Sequence, residues 1–166
     1  MAVVIRAYRP DDKAAILQLT IEAFEPVSID RNIEKRFGLV GEHDWRWRKS
    51  RQVNRELDEN PQGCFVAEDD GQVVGYITTL ADIEAGMGWI ANLAVAPGHR
   101  GAGIGRSLIL QALRYFKQLG LTHARIETLE QNPIGQRLYP QCGFVEVARQ
   151  IHYCRSLDDI PIEEAG

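Results

Sequence analysis

The chain has 166 residues with 45% hydrophobic and 25% charged side chains and a net charge of −4. That is enough chain for one domain with a real core, and no compositional sign marks disorder or a second domain. The acidic balance argues against nonspecific nucleic-acid binding, which needs a dense basic surface.

Three cysteines, Cys64, Cys142 and Cys154, are an odd number without metal-ligand spacing and read as reduced thiols, as expected of a cytoplasmic protein. The start "MAVVIRAYRP" lacks the apolar core of a signal peptide, and no apolar run is long enough to span a membrane.

In chain order, "AVVIRAYR" alternates as a first strand. A helix follows, with Pro10 near its start, Asp11 and Asp12 in its first turn, and Ala15, Ile16, Leu19, Ala23 and Phe24 forming its apolar stripe. From Glu25 to Asn60 the pattern weakens, although "HDWRWRKSRQVNRELDEN" reads as a polar helix. Its Arg46, Arg48, Lys49, Arg51 and Arg55 read as a solvated basic face. Trp45, Trp47, Phe37 and Trp89 are candidates to line a pocket, against the plainer reading of core aromatics.

Two strand-like runs around Asp70-Gly71 predict a hairpin, and "GWIANLAV" predicts a further strand ended by Pro97. After "HRGAGIG" comes a broad helical stripe of Ile104, Leu108, Ile109, Ala112, Leu113, Tyr115, Phe116 and Leu119, with Gly120 placed to end it. "THARIETLEQ" predicts a strand, "PIGQRLYPQ" a short helix, and "GFVEVARQIHYCRSL" one or two final strands. The order describes one mixed α/β domain over residues 1–157, with an acidic tail at 158–166.

A strand that runs through a glycine loop into a helix presents unpaired amides and the helix dipole to one point, where phosphate binds. A Walker A loop fails because Ile104 follows Gly103 where lysine is required. A dinucleotide fingerprint fails because its sixth position would be Arg106 or Leu108. What remains is R-x-x-G-x-G, from Arg100 through Gly103 to Gly105.

This pattern, placed after "LAVAP", resembles the pyrophosphate loop [QR]-x-x-G-x-[GA] of the GNAT superfamily of acyl-CoA-dependent N-acetyltransferases. Downstream, "NPIGQRLYPQCGF" resembles that family's N-x-x-A-x-x-L-Y-x-x-x-G-F segment, with Gly135 in the alanine position as the one departure. The resemblance covers roughly residues 3 to 150 of the sequence. It implies a mostly antiparallel α/β (α+β) sheet of six or seven strands, flanked by helices, with a splayed V between the fourth and fifth strands.

The resemblance also implies a reaction: transfer of an acetyl group from acetyl-CoA to a primary amine in a direct ternary complex. By it, Leu93, Ala94 and Val95 contact the pantetheine arm, and the amides of Arg100, Gly101, Ala102, Gly103, Ile104, Gly105 and Arg106 hold the pyrophosphate. Tyr139 takes the place of the general acid at sulfur, and Glu127 matches the general base of some relatives, with Asp82 and Glu84 as rivals. Asn132 bonds the pantetheine or caps the short helix. No metal is implied, and the partners are acetyl-CoA and an amine, with neither nucleic acid nor membrane. Homodimers are frequent in such folds, though the sequence carries no decisive sign of one. A noncatalytic acyl-CoA-binding regulatory module is the alternative, and Tyr139 counts against it.

Overall fold

The computed structural model describes residues 2–163, so position 1 and the last three residues of the expected tail lie outside the described part. A five-stranded sheet in the order β1-β2-β3-β4-β5 forms its frame, from β1 (Val4–Ala7), β2 (Phe65–Asp69), β3 (Gln72–Asp82), β4 (Met87–Val95) and β5 (His123–Ile126). The first four strands pair antiparallel and β5 joins β4 in parallel, which requires a crossover helix. The hairpin between β2 and β3 turns at Asp70 (φ 51°) and Gly71 (φ 81°), the left-handed pair that the Asp-Gly signal predicts.

Helices cover both faces. On one lie α1 (Lys13–Phe24) and α3 (Trp45–Glu59), whose Ile16, Leu19, Val53 and Leu57 pack on Val66 and Tyr76. On the other lies the crossover helix α4 (Ile104–Gln118), which buries Leu108, Ile109, Ala112 and Phe116 against Ile77 and Ile90. Gly120 (φ 80°) ends α4, with the Leu121 amide bonding back to the Phe116 carbonyl as in a Schellman cap.

Two features depart from the sequence reading. A separate helix, α2 (Ile29–Phe37), occupies the weakly patterned stretch, capped where the Ser28 hydroxyl accepts from the Arg31 amide. Its signals were present: Ser28 as cap, Asp30 in the first turn, and Lys35 and Arg36 in the last. The second departure concerns strand number. Six or seven strands are expected, but five are paired among the described residues, because no ladder forms over 144–157 after α5 (Pro133–Gln141).

An ion-pair cluster ties the sheet edge to the start of α1. The Arg6 guanidinium donates to both Asp12 carboxylate oxygens at 2.8 Å and to Glu68 at 2.7 Å, and the Arg9 amide also donates to Asp12 at 2.8 Å. The Arg6 hydrogen bonds hold the buried Asp12 carboxyl below its ordinary range. A carboxyl whose pKa is depressed on folding stabilises the native state above its unfolded value of about 3.9, and that contribution is lost as pH falls through the lower folded value. The urea midpoint is therefore expected to fall steeply below about pH 4, and Asp12→Asn to flatten that slope while lowering the plateau at neutral pH.

Candidate active site

The last β4–β5 pair is Ile90↔Ile126. Beyond it β4 continues to Val95, paired to β3 through Thr78↔Asn92, Ile77↔Leu93, Tyr76↔Ala94 and Gly75↔Val95, while β5 has ended. The two parallel strands thus diverge, and Leu93, Ala94 and Val95 present their second edge to the opening V. Main-chain groups on such an edge bind an extended ligand as an added strand would.

β4 leads directly into the glycine loop. A short turn at Pro97–His99 is followed by Gly101 (φ 82°) and Gly103 (φ 78°), both left-handed, and α4 begins at Ile104. Only glycine adopts these angles without a Cβ penalty of about 1–2 kcal/mol. The first main-chain bond of the helix is from the Ser107 amide to the Gly103 carbonyl at 3.0 Å. Among the described residues, no main-chain carbonyl receives the amides of Gly101, Ala102, Gly103, Ile104, Gly105 or Arg106. These amides and the positive end of a fifteen-residue helix converge beside the mouth of the V. Arg100 folds back, its Nε donating to the Val95 carbonyl at 3.2 Å, and the Arg106 guanidinium reaches the Gln141 carbonyl at 3.4 Å.

Short side chains let α5 approach this loop. A Cβ at Gly105 would lie 3.1 Å from Leu138 Cδ2, so the first turn of α4 packs on the α5 residue next to Tyr139. The one departure from the family segment also has a spatial reason. A Cβ at Gly135 would lie 2.8 Å from Thr128 Oγ1 and 2.9 Å from Asn132 Nδ2, with the Tyr139 ring at 3.1 Å, so the missing methyl leaves room for the Thr128–Asn132 pair and a close approach of the ring. The Tyr139 ring meets Phe144 edge-on, with centroids 6.3 Å apart. Burial pushes its phenol up to about 12, so it stays protonated through the neutral range.

The Asn132 side chain caps α5: its Oδ1 accepts from the Gly135 amide at 3.3 Å, and its Nδ2 donates to Thr128 Oγ1 at 2.9 Å. Glu127 follows the end of β5, half-exposed, accepting from the Trp89 indole and from Arg125 Nε at 2.9 Å. Asp82 caps the β3–β4 turn by accepting from the Ala85 amide at 3.0 Å. Trp45 is buried in the core, whereas Trp47 is exposed and stacked on His43 at 3.5 Å.

A polar cluster next to the V was missed. Thr79 pairs with Ile90 and Thr78 with Asn92, so Ala91 is the extra residue of a β-bulge. The bulge reverses the phase of β4. Gly88 lies under the Phe116 ring and Ile90 sits in the α4-side core, but Asn92 and Ala94 turn to the α1/α3 side. There the Asn92 amide donates to Glu56 Oε2 at 2.6 Å, Thr78 Oγ1 donates to the same oxygen at 2.7 Å, and Lys49 Nζ donates to Asn92 Oδ1 at 2.6 Å. The Lys49 ammonium also stands 4.3 Å from the centre of the Phe24 ring. Lys49 and Glu56 are thus buried, not members of a solvated face, and burial lowers the lysine pKa. Sequence alone gave one hint, a lysine seven positions before a glutamate on a helix, which puts both on one face.

An α/β sheet that splays between its fourth and fifth strands beside a glycine-loop anion cradle is the architecture of an acyl-CoA-dependent transferase. The model of the acetyltransferase (GNAT) family matches residues 18–144, and the chain belongs to that family. Among its relatives is a mycothiol acetyltransferase of Streptomyces avermitilis, 30% identical over 61% of this chain and 35% of that protein. Another is a spermidine N(1)-acetyltransferase of Vibrio cholerae, 32% identical over 56% of this chain and 55% of the relative. The chain therefore spans about a third to a half of the length of these relatives. A PaiA N-acetyltransferase from Thermoplasma acidophilum, solved in complex with coenzyme A, superposes with a TM-score of 0.68 at 19% identity, covering 85% of this chain and 88% of the other, and shares the fold.

Proposed function

We propose that the chain is a single-domain, cytoplasmic N-acetyltransferase that moves the acetyl group of acetyl-CoA to a primary amine in a ternary complex. The carrying observation is the free edge of β4 over residues 91–95, which runs from the β4–β5 divergence straight into the unpaired amides of Gly101 through Arg106. A pantetheine arm in the V adds to that edge as a strand, and the pyrophosphate at its end reaches the loop. A main-chain amide among Leu93, Ala94 and Val95 polarises the thioester carbonyl, where negative charge develops as the amine attacks. The collapsing intermediate expels the coenzyme A thiolate, and Tyr139 donates its phenolic proton to that sulfur. Glu127, reached directly or through a water, accepts the proton that the amine gives up. Asn132 supports the site by fixing the start of α5. The three free cysteines agree with a reducing compartment, and no helix among the described residues is long and apolar enough to cross a membrane.

The test is incubation with acetyl-CoA and a panel of amines, peptides and aminoglycosides while free thiol is followed. Release of coenzyme A dependent on an amine is expected. Binding of acetyl-CoA without release on any amine would favour the noncatalytic module, and no rise in Tm with either acetyl-CoA or coenzyme A would defeat both readings. Within this reading, Gly103→Ala should weaken acetyl-CoA binding roughly tenfold, because a Cβ in the left-handed region costs about 1–2 kcal/mol and turns the loop amides from their common point. Calorimetric titration of the variant checks this, and an unchanged Kd would remove the loop from the binding site.

A further inference from the structure

Glu127, the proposed base, is already engaged by a cation of its own chain. Its Oε2 accepts from the Trp89 indole, and its Oε1 accepts from Arg125 Nε at 2.9 Å and from Arg125 Nη2. The Arg125 guanidinium also stands 5.8 Å from the centre of the Trp89 ring. One cation thus meets both a carboxylate and an aromatic ring, the two surfaces that recognise ammonium groups.

The sheet register puts this trio on one face. Trp89 pairs with Arg125 in the β4–β5 ladder and Glu127 lies two residues on, while Ile90 and Ile126 turn the other way into the α4-side core. Trp89 is only partly buried, and among the described residues it packs into neither core cluster. A tryptophan that supports no core, beside the point where β4 and β5 diverge, is open to a ligand arriving on the face opposite α4.

The two donors on Glu127 are held unequally. The indole sits on a strand paired on both sides, whereas the Arg125 side chain is 61% exposed and the carboxylate 48%. An ion pair so open to water is screened and contributes little, so it exchanges readily. Oε1 has both of its lone-pair sites taken by Arg125, and an amine reaches that oxygen only when the guanidinium leaves.

We infer that Arg125 is a built-in occupant of the acceptor's ammonium subsite: its guanidinium holds the place at Trp89 and Glu127 that an incoming alkylammonium takes, and sets acceptor affinity by competing for it. The inference rests on the proposed role of Glu127. The acceptor binds as a cation and then passes one N–H proton to the carboxylate that holds it, leaving a neutral amine and a carboxylic acid. The class selected is a primary alkylammonium with no acid group beside its nitrogen, because a carboxylate there would face Glu127.

The experiment follows the indole N–H signal of Trp89 by NMR, assigned through the backbone, in the isotope-labelled chain at neutral pH without cosubstrate. Titration with n-butylammonium chloride should move that signal saturably, and n-butanol and glycine should not. Arg125→Gln should tighten the n-butylammonium Kd about threefold. Arg149→Gln removes an equal charge from an exposed arginine, paired with Glu130 at 3.8 Å, and should leave the Kd unchanged. Both arginines are exposed, so the variants should fold as the unmodified chain does, which circular dichroism checks.

No saturable shift at Trp89, an equal shift with n-butanol or glycine, a Kd not tightened by Arg125→Gln, or the same tightening by Arg149→Gln would each overturn the inference. In the thiol-release assay Arg125→Gln should lower KM for the amine about threefold and leave KM for acetyl-CoA unmoved. Transfer with an unmoved amine KM would overturn the inference and leave the acetyltransferase reading standing. Saturable binding at Trp89 with the expected response to Arg125→Gln, but no thiol release, would support the subsite and count against transfer alone.

Discussion

Tyr139→Phe is expected to lower kcat by about a hundredfold while leaving KM for acetyl-CoA within a factor of about two. General acid catalysis contributes about 10²–10⁴, and the low end applies here because a thiol of pKa about 8.5 is a fair leaving group without help. The change removes one oxygen and keeps the ring, which packs against Gly135 and edge-on to Phe144, so the fold and the loop remain. Loss confined to kcat identifies an interaction made in the transition state, and a kcat equal to that of the unmodified protein at every pH would assign Tyr139 to packing. Because burial raises the phenol to about 12, the pH profile of the unmodified enzyme should show no loss of this acid near pH 10, where an exposed tyrosine would titrate.

Glu56→Ala is expected to cost about 3–5 kcal/mol of stability, the range for removing one partner of a buried charge network. It strips the acceptor from Asn92 Nδ2 and Thr78 Oγ1 together and leaves the Lys49 ammonium buried with only neutral neighbours in hydrogen-bond reach. Domains of this kind are stable by about 5–15 kcal/mol, so the variant should lose much of its margin. Glu56→Gln keeps an acceptor and loses the charge, and should fall between the two. Urea unfolding of the three proteins checks the order, and a loss under about 1 kcal/mol for the alanine variant would show that the cluster does not hold the bulge. Asn92 immediately precedes Leu93, so a slackened bulge should also raise KM for acetyl-CoA.

The backbone of the glycine loop was legible because its signals are local. Gly101 and Gly103 are required by backbone angles that four or five consecutive residues define, and the Asp70-Gly71 turn, the Gly120 cap and the stripe of α4 are likewise decided within a few turns of chain. The downstream segment from Asn132 to Phe144 carried Tyr139 by resemblance, and the structure supplied the reason for its odd glycine: a methyl there would crowd Thr128 and Asn132, with the Tyr139 ring close by.

What the sequence could not carry depends on partners distant along the chain. Gly88, Ile90, Asn92 and Ala94 read as one buried face of a strand, and alternation cannot register the bulge at Ala91, because helices cover both faces and every second residue is buried either way. That bulge decides that Asn92 meets Lys49 and Glu56, and hence that part of an apparently solvated basic helix is core. The final segment is the opposite case. Its period-two pattern predicts one or two final strands, but a pattern names no partner, and among the described residues no ladder forms over 144–157. By itself, then, the sequence determined most of the elements up to α5, the Asp70-Gly71 turn and the left-handed glycine loop, all set by steric rules within a few residues. The tertiary structure decided strand divergence, side-chain phase and burial of charge, which arise from packing between elements far apart in the chain.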